Sequence, residues 1–170
     1  MVLKQFSISA LAVLLLVFFS GCLHYTMKES SIDKDIKTIY IGFIDNHARY
    51  VNPQLSPQLT DRLRQKVNNQ TNKTLVQSDN ADLSISGSIT DYTFTTAAIA
   101  NNQSATNRLN VTVHIKMVNK LDDKKSKETD VMRSFDFDAN ITIQQAEQQL
   151  NESIIKNLSD EIFNSLFSNW

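Results

Sequence analysis

Two carboxylates, Asp136 and Asp138, flank Phe137. At strand spacing they share a face, and paired carboxylates of this kind bind metal or exchange protons. The same pattern is the polar face of a strand that buries Phe137, and we read it so. Asp45 and His47 stand at the end of an apolar run, where catalytic residues occur, but the sequence places no nucleophile beside them. The three histidines, His24, His47 and His114, share no metal-ligand spacing, and His114 falls on the polar side of an alternating segment. One cysteine and three glycines cannot make an intramolecular disulfide, a zinc ribbon or a glycine-rich phosphate loop. GxSxG and HExxH are absent as well. No catalytic, metal or cofactor-binding residue is therefore assigned, and the chain is not expected to be an enzyme.

Cys22 carries chemistry of another kind. Residues 1–21 hold Lys4, an apolar run over 9–19, and then Phe19-Ser20-Gly21 directly before the cysteine. Such a run is a secretory signal, too short for a spanning helix, which needs about 20 apolar residues. Small residues before the chain's one cysteine make a lipoprotein cleavage box. Cys22 is expected to be acylated and to become the first mature residue. Each buried lipid methylene contributes about 0.8 kcal/mol, and more than one acyl chain is needed for a stable anchor. Leu23, standing where an aspartate would favour inner-membrane retention in enterobacteria, permits export to the outer membrane.

The 170-residue chain has 17 basic and 18 acidic residues, which gives no electrostatic case for nucleic acid. Its length fits one domain. Residues 22–35 are polar with mixed charge and form a tether; residues 36–170 form the folded unit. Lys120, Lys124, Lys125 and Lys127 cluster, but Asp122, Asp123 and Glu128 dilute them, and we read a solvated hairpin tip. Asn–x–Ser/Thr triplets, as at Asn110 and Asn140, reflect an Asn-rich composition.

The elements that position these residues follow from periodicity. Residues 36–44 are apolar on both faces, with Ile39, Ile41 and Phe43 on one and Tyr40 and Ile44 on the other, which predicts an interior strand. Ser56 and Pro57 look like an N-cap and first helical position. Leu55, Leu59, Leu63 and Val67 then mark an amphipathic helix. Leu75 and Val76 begin a short edge strand. Leu83, Ile85, Gly87 and Ile89 alternate until the parity flips to Tyr92 and Phe94, which predicts a bulge near Asp91. Residues 95–106 are small and polar and are expected to be a loop or hairpin tip. Leu109, Val111, Val113, Ile115 and Met117 give the clearest strand, and Val131, Phe135 and Phe137 its return, with Arg133 breaking the apolar face. Thr142 and Gln145 resemble a capping box before a long helix through Leu150, Leu158 and Leu166. The order β–α–(β)–β–β–β–α predicts an α+β, two-layer domain. Its sheet is mostly antiparallel with four to five strands, and two amphipathic helices lie on one face.

Several stretches together carry a resemblance. VNPQLSPQLT (51–60) opens the first helix, and QTNKTLV (70–76) precedes Ala81-Asp82-Leu83 and GSITDY (87–92). NRLNVTVHIKMVN (107–119) precedes a charged turn, FDFD (135–138) precedes the last helix, and the chain closes with DEIFN (160–164) and Ser168-Asn169-Trp170. Their order and their position downstream of a lipoprotein cysteine resemble the LptE lipoproteins of Bacteroidetes over essentially the whole mature chain.

The resemblance implies a lipoprotein of the outer membrane that faces the periplasm and plugs the lumen of the β-barrel LptD. The pair would assemble lipopolysaccharide at the outer leaflet, with no covalent chemistry. A barrel lumen is polar and wet, and this Asn-, Gln-, Ser- and Thr-rich, near-neutral surface suits it. Segment 95–107 is the expected barrel contact, through Ile99, Asn101 and Asn102. Lys116, Lys120 and Lys124 are candidate lipopolysaccharide contacts. Two other classes share the anchor: a lipoprotein that docks onto and regulates a periplasmic cell-wall enzyme, and a hydrolase using Asp45/His47 or Asp136/Asp138. An uncovered sheet face or edge would also favour self-association of the isolated domain.

Overall fold

The computed structural model describes residues 32–100 and 103–167; at 99–100 and 103–105 it describes the backbone path alone. The signal segment, Cys22, Asn101, Asn102 and Trp170 lie outside the described residues.

Strand β1 (Thr38–Asn46) leads into helix α1 (Leu55–Gln70), and β2 (Thr74–Val76) follows. Next come β3 (Leu83–Ala100), β4 (Gln103–Asn119), a short 3-10 turn (Asp123–Lys125), β5 (Lys127–Asp138) and helix α2 (Ile143–Phe167). The sheet order is β2-β1-β3-β4-β5. The architecture is the expected α+β domain, but the sheet is mixed. β1 runs parallel to both β2 and β3, whereas β3–β4 and β4–β5 are antiparallel. A helix crossover returns the chain parallel, and hairpins return it antiparallel, so the first half and second half of the sheet differ in sense.

Both helices bury their apolar stripes against one sheet face. Leu55, Leu59, Leu63 and Val67 of α1 and Leu158, Ile162 and Leu166 of α2 are at most 1% exposed, as are Leu109, Val111, Val113, Ile115 and Met117 of β4. They form one hydrophobic core. Burial of such a side chain contributes about 1.5–3 kcal/mol, so this contiguous stripe carries the layer packing.

A bulge in β1 corrects the expected parity. The β1–β3 register shifts between Ile41 and Ile44. Ile44 thereby joins Ile39 and Ile41 on the buried face, and Phe43 turns outward, 52% exposed. The shift disturbs the ladder, and α1 supplies hydrogen-bond partners there. Thr60 Oγ1 accepts from the Ile44 N–H at 3.0 Å, and the Arg64 guanidinium donates to the Ile41 carbonyl at 2.9 Å. Buried backbone groups must find such partners, which explains a threonine on the apolar face of α1.

Ser56 is not the cap. α1 begins two residues earlier than Ser56 and Pro57 imply, at Leu55 after Gln54, with no side-chain cap bond. Ser56 lies buried, and its carbonyl accepts from Thr60 Oγ1 at 2.8 Å. Pro57 still falls in the first turn, where its missing N–H costs nothing. Thr142 and Gln145 do form the capping box: the Thr142 N–H donates to Gln145 Oε1 at 2.9 Å, and the Gln145 N–H to Thr142 Oγ1 at 3.2 Å.

The start of the domain packs closely. Ile32 and Ile36 are buried. Asp33 pairs with Lys125 of the β4–β5 connection, and its carbonyl accepts from Lys73 Nζ at 2.9 Å. The end of the predicted tether, from residue 32, is thus docked on the domain.

Candidate functional site

The sheet has one open face and one long projection, and together they form the candidate site. Strands β3 and β4 pair all the way from Leu83–Asn119 to Ala100–Gln103. The segment expected as a loop or hairpin tip is therefore the far end of a long hairpin, a strand ribbon and not a loop. β5 accompanies β4 only as far as Thr106, opposite Asp138. Beyond the half-buried Phe94, residues Thr95, Thr96, Ala97 and Ala98 of β3 are all exposed, whereas Thr106 and Asn107 across on β4 are partly buried. Thr106 lies opposite Ala98, so β3 and β4 outrun β5 by their last two rungs, Ile99–Ser104 and Ala100–Gln103, or about 7 Å at about 3.3 Å per residue. The small, polar composition of 95–106 that suggests a loop or hairpin tip is that of hairpin strands whose described β3 residues, Thr95–Ala98, face no core.

Ile99 stands on this ribbon, paired with Ser104, while Asn101 and Asn102 lie outside the described residues. The lysines stand elsewhere. Lys116 is exposed on β4, opposite Ser86 and Glu128. Lys120 Nζ donates to the Asp79 carbonyl at 2.8 Å and to Asn80 Oδ1 at 3.2 Å, so it ties down the β2–β3 connection. Lys124 sits exposed in the 3-10 turn. Counted along β4, Lys116 is about 40 Å from Gln103. The two sets of candidate residues therefore occupy opposite ends of the sheet, and the chain enters at the lysine end, where Asp33 meets Lys125.

The open face is polar and ordered by cross-strand pairs. Arg108 holds Asp136 with two bonds, Nε to Oδ1 at 2.6 Å and Nη2 to Oδ2 at 2.9 Å. The hydrogen bond to Arg108 holds the Asp136 carboxyl below its usual range. Ser134 donates to Asn110 Oδ1 at 2.7 Å. His114 lies between Asp130, 2.7 Å from Nδ1, and Glu128, 3.0 Å from Nε2. The Asp130 bond and these two charges raise the His114 pKa against a smaller desolvation effect.

The carboxylate pair does not converge. Asp136 is engaged by Arg108, whereas Asp138 Oδ1 accepts from the Asn140 N–H and side chain, both at 2.8 Å. Asp45 and His47 are exposed at the end of β1, and the His47 N–H donates to the Ile89 carbonyl at 2.9 Å. Among the described residues no group of three His, Cys, Asp or Glu side chains could hold a metal ion, and no helix is long and apolar enough to cross a membrane.

At the root of the ribbon is a cluster that sequence patterns do not single out. Tyr92, 1% exposed, stacks on Tyr50 with ring centroids 5.6 Å apart. Phe94 meets Tyr92 and Phe137 edge-on. The Tyr92 hydroxyl donates to Glu147 Oε1 at 2.9 Å, and burial pushes its pKa well up. Its partners come from a loop and a distant helix, so only the parity flip at Asp91 hints at it.

A model of the LptE family, described as lipopolysaccharide-assembly, matches residues 36–166. The chain belongs to the LptE family. The match takes in every element from β1 through α2, the ribbon included, and begins downstream of Cys22. LptE membership accords with the resemblance carried by the sequence motifs. Among solved structures, the chain is similar to a minor lipoprotein from Acinetobacter baumannii, at 15% identity and a TM-score of 0.52, over 79% of this chain and 94% of that one. It is also similar to a hypothetical protein from Chlamydia trachomatis, at 6% identity and a TM-score of 0.51, over 79% of this chain and 99% of that one. At such identities the likeness concerns the fold alone. No curated protein matches the chain by sequence.

Proposed function

We propose that this LptE-family chain is an outer-membrane lipoprotein, anchored through lipid on Cys22. It would plug and assist an LptD-type β-barrel in assembling lipopolysaccharide. The observation that carries the reading is the ribbon: a polar strand pair, exposed along Thr95–Ala98 and outrunning β5 beyond Thr106, at the end of the sheet opposite Asp33 and Lys125. A β-barrel lumen is lined by polar side chains, and a polar, two-stranded projection suits it. The open sheet face, with its Arg108–Asp136 and Asn110–Ser134 pairs, continues the same surface.

Polarity follows from the ends. The ten residues from Cys22 to Ile32 span at most about 35 Å. The lysine end of the domain then stays near the periplasmic surface of the membrane, and the ribbon points away from the tether into the lumen. Ile99, Asn101 and Asn102 are the barrel contacts in this reading. Lys116 and Lys124 remain the freer lipopolysaccharide candidates, because Lys120 is occupied by Asp79 and Asn80. The protein acts by shape and contact, not by covalent catalysis.

Mild-detergent extraction of outer membranes carrying a C-terminally tagged chain, with mass identification of what co-purifies, tests this. Recovery of a large β-barrel in near-equal amount supports it. Recovery of a soluble cell-wall enzyme and no barrel, with Cys22 lipidated, overturns it in favour of a regulator.

A further inference from the structure

Past Phe94 the β3–β4 pair leaves the helix layer behind: the described β3 side chains, Thr95–Ala98, are exposed, and β5 stays beside β4 only as far as Thr106, opposite Ala98. Beyond that point the pair is two-stranded, and such a pair is marginally stable and twists unless it is braced. β5 braces it within the plane of the sheet; its angle to the helix layer is set by packing at its root.

Four elements converge there. The β3 register shifts between Ile89 and Asp91, which turns Tyr92 and Phe94 toward the core side. Tyr50 and Asn52 come from the β1–α1 loop, Phe137 from β5 and Glu147 from the second turn of α2. Tyr50, Tyr92, Phe94 and Phe137 make a chain of stacked and edge-on rings with centroids 5.6–5.9 Å apart. One carboxylate ties them together. Glu147 Oε1 accepts from the Tyr92 hydroxyl at 2.9 Å and Asn52 Nδ2 at 3.2 Å, while Oε2 accepts from the Tyr50 hydroxyl at 3.4 Å. Asn52 Nδ2 also donates to the Tyr92 hydroxyl, at a longer 3.4 Å.

We propose that Glu147 is a positioning residue: by joining Tyr92, Asn52 and Tyr50 it fixes the angle of the β3–β4 ribbon to the helix layer and presents the ribbon pre-oriented to its barrel partner. This rests on the proposed function for the identity of the partner, but not for the orientation itself. Pre-orientation spares the ordering that a mobile ribbon would undergo on insertion, which otherwise weakens association.

The test uses the full lipidated chain in detergent, where the acylated Cys22 leaves introduced cysteines as the sole reactive thiols. Spin labels go on Ala98→Cys and Glu152→Cys, both exposed positions, on the ribbon and on α2. The wild-type background is expected to give one narrow distance distribution. Glu147→Ala broadens it at least about twofold and cuts barrel recovery about threefold, the scale set by losing charge-assisted hydrogen bonds. Glu147→Gln restores both, because its carbonyl oxygen still accepts from Tyr92 and Asn52 and its amide donates to Tyr50. Tyr92→Phe keeps the ring packing and removes only the hydroxyl, so it covers the case in which Glu147→Ala fails to fold, and it broadens the distribution in the same direction. Distributions as narrow as wild type in the variants overturn the proposal. So does broadening with undiminished barrel recovery. A wild-type chain that recovers no barrel overturns the proposed function instead, and the distance distributions then decide the orientation claim alone.

Discussion

Gly87 is where β3 comes closest to its neighbour, and its replacement by alanine gives a test of the sheet register. A Cβ built there meets the Ile115 Cδ1 at 2.5 Å and the His114 carbonyl oxygen at 2.7 Å. A rotamer change moves the first atom. The second is backbone in a strand paired on both sides, with Gly87 directly opposite Ile115, and it cannot retreat without opening the ladder. Overpacking of this kind costs about 1–3 kcal/mol. Removing a glycine returns about 0.4–1 kcal/mol through the unfolded chain. The net expectation is a loss of about 1–2 kcal/mol for Gly87→Ala, or a fall in Tm of about 3–8 °C for a domain of this size. Gly42 is the internal control. Its nearest neighbours would lie at 3.4 Å, the Ile85 carbonyl oxygen, and 3.6 Å, a Tyr40 ring carbon, which is ordinary contact. Gly42→Ala is therefore expected to be neutral or slightly stabilising. Thermal melts and urea titrations of the two variants beside wild type make the comparison. Equal stability of the two alanine variants would refute the reasoning, because it would mean that β3 and β4 do not approach at Gly87.

Other consequences follow from single contacts. Thr60→Val leaves the buried Ile44 N–H without its acceptor and should destabilise by about 1–3 kcal/mol by urea titration, despite its similar shape. His114 has its pKa raised by Asp130 and Glu128. Its stabilising effect is then full below the unfolded pKa and is lost as pH rises through the folded one. The stability gap between wild type and His114→Gln should be wider at about pH 6 than at about pH 8, checked by melts at both. Asp136→Asn should leave barrel recovery and the thermal melt close to wild type, since the Arg108–Asp136 pair is half exposed and such a pair contributes little; a lost phenotype with both fold and barrel recovery intact would revive a catalytic role.

How much was legible in the sequence depends on which contacts are local. Period-four leucines in α1 and strict alternation in β4 predict burial because each element needs only one covered face. The parity flip after Asp91 locates the bulge in β3, since two inward aromatics follow two inward isoleucines out of phase. The equivalent bulge in β1 is invisible. Ile41, Phe43 and Ile44 are all apolar, so the pattern shows no flip, and only Thr60 and Arg64 across on α1 mark the break. Ser56-Pro57 misleads because a buried serine and a capping serine look alike in sequence. Residues 95–106 offer a loop or a hairpin tip alike because strand periodicity reports a covered face, and the exposed Thr95–Ala98 have none. The Glu147 cluster is the least legible, as its partners lie 55, 95 and 97 residues away along the chain.

Site-specific photo-crosslinking in living cells tests the central claim most directly. A photoreactive residue at Ala98 on the ribbon is compared with one at Lys124, at the opposite end of the sheet. The account predicts a discrete crosslink from Ala98 to a large outer-membrane β-barrel, with the Lys124 position giving no crosslink to residues deep in its lumen. A ribbon position that never reaches a barrel, in cells where the lipidated protein is present and folded, would contradict it.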